Sequence, residues 1–261
     1  MQPDDPSADL YDLIARLADN KYFLGRRYAE WCSAAPTLEA GVAAAAMAQD
    51  ELGHARALYP LLRDLAPAGA DAAQNDPDTR TRHVNMAALD APFGGWEDFV
   101  AANFLIDAAL SVIFAAAATS TFEPLAGRSR KVLQEERIHA LHGEGWVRRM
   151  ARGGAPLRAA IERALLAPWD EVLCWFGPAA TPGPLAEQRV LDAAPDALRG
   201  RWLARIGPTV AELGLPLPLR RGRKAGVWAL TADLPWARWA AATYRLAPAG
   251  AAVPAAVEGR V

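Results

Sequence analysis

The sequence predicts an all-α fold: a ferritin-like four-helix bundle with one long crossover, plus additional C-terminal helices. Apolar residues recur at helical spacing along almost the whole chain, and no alternating stretch is long enough to make a useful strand. The long amphipathic segments fall into two pairs, each joined by a short turn. Between the pairs lies "APAGADAAQNDPDTRTRHVNMAALDAPFGG", residues 66–95, which is too long for a turn between antiparallel neighbours.

The first helix is expected over about Asp9 to Cys32. "SAAPTLEAG" turns the chain, with Pro36 placed beside the start of a second helix from Thr37 to Leu65. After the crossover, a third helix spans about Trp96 to Ser120, "TFEPLAG" reads as a turn, and a fourth runs from Arg128 to Ala151. Two helical hairpins joined by one crossover is the order of a ferritin-like bundle. Further helices are expected near Pro156 to Phe176, between Pro184 and Leu213, and near Leu234 to Leu246, with "LRRGRKAG" (219–226) as a basic loop. Residues 1–246 then form one domain, with a core bundle over about 9–151 and C-terminal helices over about 156–246. Residues 247–261, "APAGAAVPAAVEGRV", have nothing to pack and read as a loose tail.

Composition narrows the function. A formal net charge of −2 gives no electrostatic reason to expect nucleic acid or an acidic membrane as partner. Cys32 and Cys174 are the only cysteines, too few for a disulfide scaffold and in keeping with a reducing cytoplasm. The start, "MQPDDPSADL", lacks the basic-then-apolar order of a signal peptide. The most apolar stretch, Phe104 to Thr119, is interrupted by Asp107 and falls short of a membrane span.

The chemistry lies in two Glu-x-x-His pairs, Glu51/His54 in "QDELGHARALY" and Glu136/His139 in "QEERIHALHGEGW". Residues three apart share a helix face, so a carboxylate and an imidazole approach one cation from the same side. In di-iron carboxylate bundles two helices each supply such a pair, and the other two each supply one carboxylate. In a hairpin, residues equally far from the turn lie side by side. Asp107 stands 15 residues before Phe122 and Glu136 stands 14 after it, so the two share a level. Asp107 also sits in the apolar run "NFLIDAALSVIF", where an unpaired carboxylate would be costly. On the first hairpin Glu51 is 17 residues past Ala34, which puts its neighbour at Ala18, Asp19, Asn20 or Lys21. Glu30 lies too near the turn. Asp19 would complete the ligand set; Lys21, while protonated, cannot bind a metal and would fill the site with a salt bridge instead. Gln49, Asp50, Glu135 and His142 flank these residues as candidates for supporting them from outside, against the plainer reading of solvated helix-face groups.

"EWCSAAPTLE", "QDELGHA", "FLIDAA", "EERIHALHGEGW" and "WFGP", in this order, resemble the phenylacetyl-CoA epoxidase family of multicomponent bacterial oxygenases, over about Asp9 to Leu246. That family has a catalytic A subunit with a di-iron centre and a related C subunit with a degenerate site. "LADNKYFLGRRYAEWC" and "GRKAGVWALTADLPWARW" look like the C subunit, whereas "QDELGH" and "EERIH" look like the A subunit. The resemblance puts Glu51, His54, Asp107, Glu136 and His139 on the A subunit's ligand positions, and Lys21 where its first-helix Glu falls.

Two functions of different class follow. The resemblance implies a di-iron oxygenase that takes electrons from a reductase, activates O₂ and oxygenates an aromatic or related acyl-CoA. Glu51 and Glu136 would then be bridging or terminal ligands, His54 and His139 terminal nitrogen donors, and Asp107 a terminal carboxylate. The alternative is a structural subunit without turnover, its site filled by Lys21 and holding one iron or none, bound to a related ferritin-like partner. Either is expected in the cytoplasm, as a homo- or hetero-oligomer. Arg220, Arg221, Arg223 and Lys224 could reach the phosphates of a CoA carrier, although a charged loop is more often only solvated. Trp169, Trp175, Trp202, Trp228, Trp236 and Trp239 are interface anchors on one reading and core on the other.

Overall fold

A computed structural model describes residues 6–66, 70–179, 183–240 and 243–247. The expected loose tail therefore falls, beyond Ala247, outside the described residues.

The first hairpin pairs α1 (Pro6–Ala29) with α2 (Leu38–Leu65), which form the most extensive helix contact of the described residues. Thr37 caps α2, its side chain accepting from the Ala40 N–H, as a β-region N-cap threonine should. The two helices approach closely at Gly25, where a Cβ would come within 2.7 Å of Leu52 Cγ. Among the described residues the crossover carries only two short 3₁₀ turns, Ala72–Asn75 and Ala87–Leu89.

The third long helix is continuous over Trp96–Ala117 but not uniform. It begins as α3 (Trp96–Ala101), widens into a π-helical turn at Ala102–Asp107, and continues as α4 (Ala108–Ala117). The π turn packs against α5, and the Trp202 indole donates to the Leu105 carbonyl within it at 3.0 Å. By length and hydropathy Trp96–Ala117 could cross a membrane, because the apolar run begins before Phe104 and is longer than expected. Here it is the central core helix, with 94% of its most apolar window buried.

α5 (Glu123–Ala151) starts five residues earlier than expected from Arg128. "TFEPLAG" resembles a turn for its Pro and Gly, but Pro124 occupies the first turn of the helix, where its missing N–H costs nothing. The expected Pro156–Phe176 helix is two, α6 (Ala155–Leu166) and α7 (Trp169–Trp175), broken at Pro168. α8 (Pro184–Glu187) is a single turn, and α9 (Pro195–Leu213) ends at Gly214 in the left-handed conformation.

The last expected helix, Leu234 to Leu246, is not one. Residues from Leu219 form two short antiparallel hairpins, β1 (Leu219–Arg221) with β2 (Trp228–Leu230), and β3 (Trp239–Ala240) with β4 (Arg245–Leu246). A 3₁₀ turn at Trp236–Arg238 precedes β3. Pro235 and the Trp-rich composition disfavour a helix here, and a run this short carries too few turns of periodicity to distinguish the two states. Trp169, Trp175 and Trp202 are core residues, whereas Trp228, Trp236 and Trp239 are half-buried.

Asp19 pins the crossover to the bundle. Fully buried on α1, it accepts hydrogen bonds from Tyr59 Oη at 2.8 Å, Arg80 Nε at 3.1 Å and the Val84 N–H at 2.8 Å. At the next position along α1, the Asn20 side chain accepts from the Met86 N–H at 2.9 Å. Truncating Asp19 would leave the buried Arg80 guanidinium without its carboxylate. Asp19→Ala is therefore expected to lose roughly 3–5 kcal/mol of stability, measured by urea denaturation, and to expose the crossover to protease.

Candidate metal-like centre

Each long helix contributes one charged side chain to a single point inside the bundle: Lys21 from α1, Glu51 from α2, Asp107 from the end of the π turn and Glu136 from α5. The Lys21 ammonium donates to Asp107 Oδ1 at 2.7 Å and to Glu136 Oε1, and it lies 3.0 and 2.9 Å from the two Glu51 oxygens. All four residues are 2% exposed or less. Asp19, the other candidate for this position, is turned to the crossover instead.

His139 closes the cluster. Its Nδ1 lies 3.2 Å from both Glu51 Oε1 and Asp107 Oδ2, and its Nε2 lies 3.2 Å from Asp50 Oδ2. Donor atoms of Glu51, Asp107, Glu136 and His139 all fall within 4.8 Å of one another, a spacing that could hold a metal ion. His54 stands to one side. Its Nδ1 is 3.6 Å from Glu136 and 4.0 Å from Glu51, while its Nε2 faces Glu135 Oε2 at 2.6 Å. Of the flanking candidates, Asp50 and Glu135 thus meet the two histidines, His142 meets Asn103 at 3.1 Å, and Gln49 is exposed.

Two contributors are absent from the sequence candidates. Asn103 Nδ2 donates to Asp107 Oδ2 at 3.2 Å, and Ser111 Oγ donates to Glu136 Oε2 at 2.9 Å. Their signal is present in the chain all the same: Asn103, Asp107 and Ser111 recur every fourth residue through an otherwise apolar run. Gly143 on α5 is what lets the π turn come so near, since a Cβ there would lie 2.8 Å from Asn103 Oδ1.

The protonation states follow from burial and charge. Burial opposes the Lys21 charge, but Asp107, Glu136 and Glu51 override it and hold the ammonium well above its ordinary pKa. Burial likewise works against the His139 cation, yet hydrogen bonds to Asp107 and Glu51 and their charges push it up to about 11. Asp107 is held well below the carboxylate range by Lys21 and His139 against its own desolvation. Glu136 is raised well above that range by burial and by Asp107, and Glu51 is raised by the same causes. Lys21 and His139 therefore bring positive charge to three buried acidic side chains, which oppose the cost of their burial. His54 is pushed down to about 3 by burial and by Lys21, so its ring is neutral.

The residues present do not fit a dinuclear metal centre. The ammonium sits at the point from which three carboxylates would bind a cation. A divalent ion ~4 Å from it would be repelled by roughly 8 kcal/mol at an effective dielectric of 20. The basic residues lie elsewhere: Arg220, Arg221, Arg223 and Lys224 are exposed on the β1–β2 hairpin, which packs chiefly on α9.

Fold and site together define a ferritin-like helical bundle whose central carboxylate cluster is occupied by a lysine. The chain belongs to the phenylacetic acid catabolic protein family, which matches it over residues 1–244. It is 28% identical over 211 residues to the C subunit of 1,2-phenylacetyl-CoA epoxidase from Escherichia coli (strain K12), covering 81% of this chain and 85% of that protein.

Replacing Lys21 by Met keeps the volume and removes the charge. The variant is expected to lose roughly 3–5 kcal/mol near pH 7. It should recover part of this on acidification, because carboxylates raised in the folded state bind protons more readily there than in the unfolded chain. His139 gives a second pH signature. Its folded pKa lies above the unfolded value, so its contribution is complete below about pH 6.5 and fades toward pH 11. Between these limits the wild type should lose stability with rising pH more steeply than His139→Gln, by about 1.4 kcal/mol per pH unit. Chemical denaturation across that range measures the difference.

Proposed function

We propose that this chain is the non-catalytic, ferritin-like subunit of a multicomponent oxygenase acting on phenylacetyl-CoA or a related aromatic acyl-CoA. The observation that carries this reading is the Lys21 ammonium among Glu51, Asp107 and Glu136, which supplies the charge a metal would otherwise supply. A di-iron centre on this chain would need Lys21 expelled from a fully buried position against three carboxylates. The E. coli relative, whose name makes it the C subunit of an epoxidase, agrees with the same reading.

A subunit of this kind needs a docking face. Leu38 and Val42 on α2 are 81% and 64% exposed, and Ile138 and Leu141 on α5 are 63% and 62% exposed. Large apolar side chains in such exposed pairs on neighbouring helices are unusual for a surface that meets only water. They suit the apolar face of a related ferritin-like subunit carrying the iron and receiving electrons from a reductase. Arg220, Arg221, Arg223 and Lys224 offer four exposed cations, suited to the phosphates of a CoA thioester bound by the complex. Two free cysteines, Cys32 exposed and Cys174 buried, fit a cytoplasmic assembly.

The test is reconstitution. Loaded anaerobically with ferrous iron, the chain alone should retain no stoichiometric iron and turn over no acyl-CoA. Mixed with a catalytic subunit and reductase, it should form a stable complex and support turnover, and Ile138→Asp should weaken the complex at least tenfold. About two retained irons per chain, or turnover by the chain alone, would overturn the proposal.

A further inference from the structure

A second site lies away from the carboxylate cluster, under the C-terminal hairpin. A cavity of about 250 Å³ opens between α1, α4, α7, α9 and the β3–β4 turn. Leu13, Ile113, Leu191 and Leu198 make its apolar wall. Its only charged lining groups among the described residues are Arg16 and Asp9.

Arg16 is the anomaly. It is 6% exposed, and among the described residues its guanidinium has no carboxylate within salt-bridge distance. Among the described residues its one hydrogen bond is from Nε to the backbone carbonyl of Asp12, at 3.3 Å. Its Cζ lies 3.7 Å from the centre of the Tyr244 ring and 5.8 Å from that of Trp175. Burial lowers its pKa, and the charges of Asp12 and Asp9 oppose that shift without cancelling it. Buried charges are ordinarily paired, and an uncompensated one is strongly destabilising.

Two more donors line the same cavity. The indole N–H groups of Trp175 and Trp239 are both buried and both lack an acceptor. Tyr244, which stacks on Arg16, is held at φ +51°, a left-handed conformation that is rare for an aromatic residue and costs free energy. One cation without a salt-bridge partner among the described residues, two buried N–H donors without acceptors and one strained aromatic residue therefore border a single apolar cavity, whose one acidic lining side chain among the described residues is Asp9.

We propose that this cavity binds a small monocarboxylate with an apolar, ring-sized body, with Arg16 as its charge partner and Trp175 and Trp239 as N–H donors. A carboxylate brings one negative charge and enough lone pairs for all three donors. Asp9 excludes a second negative charge, and the absence of another cation among the described lining residues disfavours phosphates. The aromatic and aliphatic walls suit a ring or a branched chain of that size. Arg16 and Tyr244 also border a neighbouring, more polar cavity that includes Gln74 and Arg82, so the location needs its own control.

Benzoate is the probe, titrated into the full chain by calorimetry and by tryptophan fluorescence, with benzyl alcohol as neutral isostere and phenyl phosphate as dianion. Saturable sub-millimolar binding of benzoate is expected, with benzyl alcohol and phenyl phosphate at least tenfold weaker. Arg16→Met should weaken benzoate at least tenfold, leave benzyl alcohol unchanged, and raise the ligand-free Tm because an unpaired buried charge is gone. Ala186→Phe, which fills the cavity and keeps Arg16, should abolish binding, and Arg82→Gln should leave it intact. A folded wild type that binds no benzoate overturns the proposal, as does equal binding by Arg16→Met. Sensitivity to Arg82→Gln combined with indifference to Ala186→Phe would also overturn it, by placing the anion in the other cavity.

Discussion

One buried ammonium ties the bundle together. Lys21 meets a carboxylate from each of the three other long helices, with every partner within 3.0 Å. The contact is intrinsically expensive, because an ion taken out of water loses several kcal/mol of hydration before any attraction is counted. Here the cost is offset because each charge has an opposite neighbour and each neighbour has further hydrogen bonds: Ser111 on Glu136, Asn103 on Asp107, and His139 on both Glu51 and Asp107. The cluster therefore behaves as one unit, in which the loss of any member strands the others in a low-dielectric interior.

The surrounding architecture supports that unit. The π turn at Ala102–Asp107 carries Asp107 into the centre, and Gly143 removes the side chain that would keep α5 from it. On α1, Asp19 faces the crossover and Lys21 faces the cluster, so neighbouring stretches of one helix fasten two different parts of the molecule. A bundle that needs a cation at its centre has thereby acquired a covalently attached one, which cannot dissociate and carries no redox chemistry.

Much of this is legible in the sequence. The helix order, the crossover and the meeting of Glu51, Asp107, Glu136 and His139 at one point follow from periodicity, the Glu-x-x-His spacing and distance to each turn. Asp19 and Lys21 stay open alternatives there because depth along a hairpin resolves about one helical turn and says nothing of azimuth. Two residues on, the helix has rotated by roughly 200°, so these two side chains face opposite ways. The π turn is invisible because a wider turn leaves no compositional mark in an apolar run. His54 has the spacing of a ligand, but its Nδ1 stands 3.6 Å from Glu136 while its Nε2 meets the half-buried Glu135, a tertiary choice that no spacing encodes. The C-terminal hairpins escape detection for a different reason: strands this short are fixed by packing against α9 and α7, not by their own alternation.

The Lys21 ammonium bridges Glu51, Asp107 and Glu136, and the proposal is that it does so in place of a metal. Anomalous diffraction at the iron edge, from crystals grown anaerobically with excess ferrous iron, tests this directly. No anomalous peak is expected among Glu51, Asp107, Glu136 and His139, and the Lys21 side chain should show continuous density reaching their centre. Iron peaks within that group, with Lys21 displaced from it, would contradict the assignment.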